Sequence, residues 1–525
     1  MPSAGHVFRL ADLVQITARR HPHQVAIVHD RGTLTFARFR ERTLRCAQAL
    51  LGLGLKTGDG VVLFARNGPE YLELYIALQL AGLVAIPVNY RLSPAELVYV
   101  LDNSGARGLV IDDAFTHVYA AARGKSATSL HALVILNGEV SEPMAYETLL
   151  AQADAIEPVV TTTPYSPAAI FYTSGTTGFP KGAVMSHMTV LMRFCSWGWR
   201  FGITEEDVLL VTGPQFHQSF GSISLLSLCV GAKLVLHTDF EAARVTSCIS
   251  RDGITWSFMV PKMLSAVLES AASGTPVGDC RALRGLMSSG STLPTPVLRG
   301  LIDAFPTTRL ADAYGWTESG WITYCRHEDM LGESRTVGKS SYGCELAILD
   351  DDGNLLPPGA VGQIYATNPV AFLGYHDNPE ATADMRRGKW ETGGDVGMLD
   401  DAGFLYLYDR RRDMIVSGGE NIYPAEIERV LAEHPTVLEV AVVGVPDDSW
   451  GESPRACVVF KSGMAATDEE LLGFCADKLA RFKHPKSIYH FEALPRNSMG
   501  KVLRRELRER FWNEGKTACD LIGSS

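Results

Sequence analysis

Several common signatures are missing from this chain, and each gap excludes something. No His-Glu-x-x-His and no Cys/His cluster occurs, so zinc hydrolases and structural zinc modules are excluded. The ten cysteines (46, 195, 229, 248, 280, 325, 344, 457, 475 and 519) form no Cys-x-x-Cys pair, and ten in 525 residues do not make a disulfide scaffold. They read as reduced, mostly buried thiols of a cytoplasmic protein. The 49 glycines follow no Gly-X-Y period, which excludes a collagen-like chain. Positive charge is in deficit: 48 Lys and Arg against 59 Asp and Glu leave a net −11, unlike a dedicated nucleic-acid binder. The N-terminus has no apolar core of signal-peptide length. The most apolar stretch, residues 208–237, is broken by Gln215, His217 and Gln218 and fails as a membrane span. The end, Leu-Ile-Gly-Ser-Ser, matches neither a prenylation box nor a peroxisomal Ser-Lys-Leu.

What is present is a large apolar fraction. At 46% hydrophobic and 20% charged, 525 residues can bury a sizeable core and make two to four domains. Apolar runs alternate with helical segments for about four hundred residues. Strand-like runs at 82–88, 108–111, 170–173, 255–260, 283–287 and 309–313 alternate with helices at 93–103, 261–270 and 296–305. Repeated strand–loop–helix units predict largely parallel sheets with ligand loops at the strand ends. Past residue 400 the pattern changes. A hairpin-like strand (403–408), the charged cluster 409–413 and a small α+β unit follow, with helices at 424–433 and 468–479 and strands at 438–445, 456–461 and 487–491. No internal repeat and no low-complexity tract is present.

Five segments carry chemistry. In Thr173-Ser174-Gly175-Thr176-Thr177-Gly178-Phe179-Pro180-Lys181-Gly182, glycines let backbone N–H groups converge among hydroxyls and an ammonium, which suits a polyphosphate. It is not a Walker A loop; the nearest candidate, Gly338-Lys339-Ser340, has Glu333 where the first glycine belongs. The competing reading is a polar turn, which needs fewer hydroxyls. Tyr314-Gly315-Trp316-Thr317-Glu318, taken as a strand-end loop, offers an aromatic face for a base, a hydroxyl for a phosphate and a carboxylate for Mg²⁺; a helix cap is the alternative. Within residues 390–397, Asp395 in a glycine-rich loop can accept two ribose hydroxyls, or the loop is a tight turn. Lys501 follows Gly500 in a basic stretch, residues 478–510, with ten Lys or Arg against three Glu. That stretch is either a solvated helix end or a lid carrying positive charge to an anionic site. His217, in Pro214-Gln215-Phe216-His217-Gln218-Ser219-Phe220-Gly221, is either a core histidine or a site residue.

Taken in order, these segments resemble the adenylate-forming superfamily of acyl-CoA synthetases, peptide-synthetase adenylation domains and luciferases. The resemblance spans about residues 13–507 and is closest to the AMP-dependent CoA ligase branch. It implies an α/β fold: a large N-terminal domain of layered sheets and helices (1–412) that binds AMP and the acyl group, and a small mobile α+β C-terminal lid (413–525) hinged near Asp413. It implies ATP, Mg²⁺ and coenzyme A as cofactors and a small carboxylic acid as partner. No nucleic acid and no membrane span are expected, and assembly as a homodimer stays open. By the same resemblance Thr173, Ser174, Gly175, Thr176, Thr177, Gly178 and Lys181 clamp the ATP phosphates, and Gly290 and Ser291 line the adenine site with Tyr314. Thr317 touches the α-phosphate, Glu318 holds Mg²⁺, and Asp395 and Arg410 bind the ribose. Gly418 and Gly419 line the pantetheine tunnel, Lys501 is the adenylation lysine, and His217 gates the carboxylate and thiol channels. Two departures stand out. The ribose loop reads Gly393-Gly394-Asp395 where the family has Thr-Gly-Asp, and Arg412 replaces Lys before the hinge Asp.

Acyl-pocket walls expected from the matched segments are His217, Phe220, Gly221, Met259, Trp316, Trp321 and Ile322. The bulk of the two tryptophans predicts a medium-chain, branched or aromatic acid. The implied reaction is acid + ATP + CoA to acyl-CoA + AMP + pyrophosphate. Alternatives are a free-standing adenylation enzyme loading a carrier protein, a luciferase-like oxygenase and a non-catalytic nucleotide sensor. A protein kinase is excluded by the absence of Asp-Phe-Gly and of a catalytic loop.

Overall fold

The computed structural model describes residues 9–138, 144–173, 179–290, 293, 295–331, 336–350, 352–409, 415–422, 424–476, 478–495, 502, 504 and 506–511. Two sheets dominate the large domain. Seven strands run in the order Gly374–Tyr375, Lys181–Ser186, Pro167–Thr173, Val84–Pro87, Gly60–Phe64, Gly108–Asp112, Ala132–Leu136. The last five of these pair in parallel. Nine strands form the second sheet, whose centre, from Arg309–Trp316 through Gly285–Ser289, Trp256–Phe258 and Val208–Val211 to Lys233–Leu236, is also parallel. Parallel strands buried on both faces explain the continuous apolar runs in the sequence. Helices such as Pro94–Ser104 and Pro261–Ala272 lie close to their expected positions. The first is set by a capping box in which Ser93 and Glu96 bond each other's backbone N–H.

A third sheet was not legible. Residues 345–409 form six antiparallel strands, including Val361–Thr367, Val396–Leu399 and Leu405–Asp409. Its strands are short and half exposed, so neither long apolar runs nor crossover helices announce it. Only its last strand was expected. The small domain, whose first described strand is Ile415–Ser417, has its own sheet, built around the pair Val437–Asp447 and Gly451–Phe460, with helices Pro424–Ala432 and Asp468–Ala476 over a separate apolar cluster. The α/β class and the large-plus-small arrangement are as expected. The hinge expected at Asp413, and Arg410 and Arg412 beside it, lie outside the described residues.

Among the described residues no helix is long and apolar enough to cross a membrane. The nine described cysteines are free thiols.

One buried ionic network braces the first helices. Glu73 is fully buried; its carboxylate accepts from Arg42 Nε at 2.6 Å and from Tyr146 OH at 2.8 Å, while Arg42 forks onto Glu147 at 2.6 and 2.9 Å. Burial pushes the Glu73 carboxyl up, and Arg42 opposes that. Removing one partner of such a pair strands the other. Arg42→Met is expected to destabilise the large domain by about 3–5 kcal/mol, read as a lower midpoint in urea or thermal unfolding. An unchanged midpoint would show that Glu73 is accommodated without its cation.

Candidate active site

The phosphate-type loop is the turn of a β-hairpin. Pro167–Thr173 and Lys181–Ser186 are antiparallel, with Thr173 directly opposite Lys181. Ser174, Gly175, Thr176, Thr177 and Gly178, expected from the sequence to clamp phosphates, lie outside the described residues. The hairpin nevertheless puts both loop ends side by side, and there the site begins. Thr173 Oγ1 donates to Glu318 Oε1 at 3.0 Å. Tyr375 OH donates to the same oxygen at 2.7 Å, and the Lys181 ammonium lies 5.3 Å from the Tyr375 ring centre. Residues 173, 181, 318 and 375 thus meet at one point although they come from three separate stretches of chain.

Glu318 sits in a tight turn, which corrects two expectations. The strand Arg309–Trp316 extends through Tyr314-Gly315-Trp316, so these three are strand residues rather than a loop after residue 313. An antiparallel strand, Gly320–Arg326, follows at once, so no helix follows for Thr317 and Glu318 to cap. The turn is held from below by Arg193, which sequence reading missed. Its guanidinium donates to the carbonyls of Thr317 (2.9 Å), Glu318 (2.7 Å) and Val370 (2.9 Å). Burial pulls Arg193 down to about 10, against the pull of Glu318 and Glu391, so it is charged at neutral pH. Nothing local in the sequence marks an arginine whose three partners lie more than a hundred residues away.

The ribose-type loop reaches the same strand at Tyr314. Tyr314 OH donates to Asp395 Oδ2 at 2.6 Å, which ties the aromatic face to the acidic residue. The departure at Gly393 has a steric reason. A Cβ there would fall 2.7 Å from the Trp316 indole, so the hydroxyl the family carries has no room beside this tryptophan. Thr392, one residue earlier, turns its hydroxyl inward: it accepts from Gly394 N–H at 3.0 Å and donates to the Ile364 carbonyl at 2.7 Å.

The seven expected acyl walls are not brought together. Trp316 and Ile322 pack with Tyr314 in a cluster against the antiparallel sheet, with the Trp316 indole beside Gly393. Met259 packs in a separate cluster with Leu264 and Leu286. Gly221 lies where a Cβ would be 2.5 Å from the Gln215 carbonyl, and it lines a small cavity with Tyr71, Phe171, Gln215 and Gln218. His217, Phe220 and Trp321 belong to one aromatic ladder, with His217 and Phe220 at one end. Ring centres run from His217 to Phe220 (6.3 Å), Phe220 to Phe258 (4.8 Å), Phe258 to Trp321 (6.1 Å) and Trp321 to Trp197, stacked at 3.8 Å. Phe258 and Trp197 were not expected. Their apolar neighbours in sequence give no sign of which face they share.

His217 stands at the start of the helix Gln218–Val230. Its side chain opens to solvent in the cleft, yet the protein mass around it pushes the imidazole below its usual range, with Glu420 of the small domain opposing this. The ring is therefore neutral at pH 7. Across the cleft, Gly418 and Gly419 both have positive φ, and their turn packs on the large domain. A Cβ on Gly419 would lie 3.3 Å from Val260, and a Cβ on Gly290 would lie 3.6 Å from the same side chain. Val260 therefore separates the adenine-type loop from the pantetheine-type loop. Lys262 spans the same boundary, donating to the Ser449 carbonyl at 2.6 Å with its ammonium 3.5 Å from the Trp450 ring centre. Ser291, Arg410, Asp413 and Lys501 lie outside the described residues.

The family model for AMP-binding enzymes matches residues 14–376, and that for the AMP-binding enzyme C-terminal domain matches 426–501. The chain belongs to the AMP-binding enzyme family. Among curated members, the 2-succinylbenzoate–CoA ligase of Bacillus cereus is 35% identical over 490 residues, 93% of this chain and 96% of that one. A solved o-succinylbenzoate CoA synthetase from Bacillus subtilis, a double mutant bound to a product analogue, overlays with a TM-score of 0.85 at 31% identity, covering 95% of this chain and 98% of that one. The same enzyme with its acyl-adenylate intermediate overlays at only 0.69, with 30% identity and 94% and 97% coverage. Identity being nearly equal, the difference lies in how the parts of the chain are arranged. This AMP-binding enzyme is thus arranged more like the product-analogue complex.

Proposed function

We propose that the chain is an ATP-dependent carboxylic acid:CoA ligase that works through an acyl adenylate, and that its acid is aromatic. The observation that carries this is the convergence of Thr173, Lys181, Tyr375 and Glu318, which joins the ends of the phosphate-type loop to one buried carboxylate. Among the described residues no group of three or more His, Cys, Asp or Glu could make an all-protein metal cage. A lone carboxylate among hydroxyls fits Mg²⁺ arriving with ATP, because Mg²⁺ takes one or two carboxylates plus phosphate oxygens. When bound there, it supplies charge neutralisation at the phosphates.

A carboxylate is a poor acyl donor because its leaving group would be oxide. In the first step its oxygen attacks the α-phosphorus of ATP, and pyrophosphate leaves. In the second a thiolate attacks the acyl carbon, and AMP leaves. The substrate carboxylate is already ionised at pH 7 and needs no base, and the neutral His217 adds no charge beside it. Thr317 and Lys501 would serve the α-phosphate, Tyr314 and Asp395 the nucleoside, and Gly418-Gly419 the pantetheine arm. Lys501 and that glycine turn both belong to the small domain, so serving one centre in turn requires it to rotate about Asp413. Free thiols suit a reducing cytoplasm.

The acyl group would lie along the ladder from His217 toward Trp321. Flat rings favour an aromatic acid, and the acid in the name of the 2-succinylbenzoate–CoA ligases is aromatic. Trp321→Leu is expected to shift the ratio of kcat/KM between octanoate and an aryl acid by about tenfold or more toward octanoate, whereas Trp316→Leu should change the KM for ATP instead. Equal effects of the two on acid preference would count against this placement. The test of the function itself is pyrophosphate release with Mg²⁺-ATP across acetate, octanoate, palmitate, benzoate, cinnamate and 2-succinylbenzoate, with and without CoA. Turnover that requires CoA and a narrow set of acids supports the ligase. Acid-dependent ATP–pyrophosphate exchange without CoA turnover would move the acceptor to a carrier protein. No acid-dependent signal would overturn the reading.

A further inference from the structure

Lys483 of the small domain is 5% exposed and lies between two carboxylates from different domains. Its ammonium is 2.6 Å from Glu96 Oε1 in the large domain and 2.8 Å from Glu426 in its own. All three side chains are at most 10% exposed. Glu96 uses its other oxygen, Oε2, to accept the Ser93 N–H at 2.9 Å, and Ser93 Oγ donates across the boundary to the Lys478 carbonyl at 3.1 Å. The capping box of one helix in the large domain is therefore also the docking point of the small one. Burial works against the Lys483 ammonium, and the two carboxylates more than reverse that, so it is charged.

We infer that Lys483 and Glu96 are positioning residues that select the arrangement in which the Gly418-Gly419 turn faces Val260, and so serve thioester formation rather than adenylation. The inference rests on the ligase reading above. A buried ion pair suits this role better than an apolar patch. When the small domain swings away, Glu96 regains water and Lys483 keeps Glu426, so leaving is not prohibitive. Lys483→Met, in contrast, leaves the Glu96 carboxylate buried without its cation in this arrangement alone, and Glu96→Gln leaves the buried Lys483 ammonium with Glu426 but without the cross-domain carboxylate that docks it. The arrangement is then disfavoured relative to the one that adenylates. Arg91 and Glu420, paired at 2.9 Å, also cross the boundary, but Arg91 is half exposed and the pair is better screened than that of Lys483 and Glu96, so it contributes less.

The test uses the full chain with Glu96→Gln, Lys483→Met and the double variant. The amide introduced by Glu96→Gln keeps an oxygen for the Ser93 N–H, so the helix cap survives. Two half-reactions are measured with the best acid of the panel: acid-dependent ATP–pyrophosphate exchange, and single-turnover transfer from that acid's synthetic adenylate to CoA. Small-angle scattering of the substrate-free proteins reports domain arrangement. The expected result is a loss of about 10–100-fold in transfer, with exchange within about threefold of wild type, a changed scattering profile, and a double variant no worse than the worse single one. Equal loss in both half-reactions with the fold retained, or no loss in either with unchanged scattering, would overturn the inference and leave the ligase reading standing. A wild type that performs neither half-reaction would overturn both. Should Lys483→Met not fold, Glu96→Gln, on the other domain, decides the matter.

Discussion

Lys501→Ala is expected to lower acid-dependent ATP–pyrophosphate exchange by about 10²–10³-fold while leaving transfer from supplied acyl adenylate to CoA within a few-fold of wild type. Adenylation brings a carboxylate against a polyphosphate, and the transition state gathers negative charge at the α-phosphate. An ammonium placed there stabilises that state more than the separated reactants, which is where a catalyst gains. Losing one such donor costs about 3–4 kcal/mol. The second step has no such demand. AMP leaves as a stable anion, and the attacking group is a thiolate whose formation, from a pKa near 8.5, is a separate matter. On the proposed mechanism, a single rotating domain that uses different faces for the two steps makes the mutant's effect one-sided. Measuring both half-reactions on one preparation checks this, and a parallel fall in both would remove Lys501 from its proposed role.

Glu318→Gln is expected to show a comparable one-sided loss, about 10²-fold in the exchange reaction, with weaker dependence on Mg²⁺ concentration. The substitution is chosen for its geometry. A glutamine oxygen can still accept from Thr173 Oγ1 and Tyr375 OH, and the turn itself is held by Arg193 through backbone carbonyls, so the fold does not depend on the charge. What disappears is a full negative charge from a buried point, where it is poorly screened. Titrating exchange against Mg²⁺ at fixed ATP separates the outcomes. A variant with wild-type Mg²⁺ dependence would show that Glu318 only braces the Thr173 and Tyr375 hydroxyls.

How far the chain could be read in advance varied with distance along it. The hairpin loop at 173–182, the Tyr314–Glu318 segment and the Gly-rich turn at 393–395 are each short, and each carries its chemistry within a few residues. The parallel strands and the helix at residues 94–104 were equally legible, because a buried strand needs a continuous apolar run and Ser93 with Glu96 is a local cap. The antiparallel sheet of residues 345–409 was not, since its strands are brief and have one wet face. The division of the tryptophans was also hidden. Trp316 and Trp321 are five residues apart on two arms of one hairpin, and the bulge between Tyr314 and Gly315 helps decide which face each side chain takes.

Local order therefore determined the chemistry: a phosphate-type loop, a carboxylate, an acidic ribose-type turn and a small α+β unit, all in a fixed sequence. Tertiary structure alone decided which of them meet. It brought Thr173, Tyr375 and Glu318 onto one oxygen, set Arg193 under the turn, matched Gly393 to the Trp316 indole, aligned four rings and His217 into one ladder, and placed Lys483 between carboxylates of two domains. The physical reason is common to all five. Each joins residues far apart in sequence, made definite only when close packing and the need to pair every buried polar group leave a single arrangement.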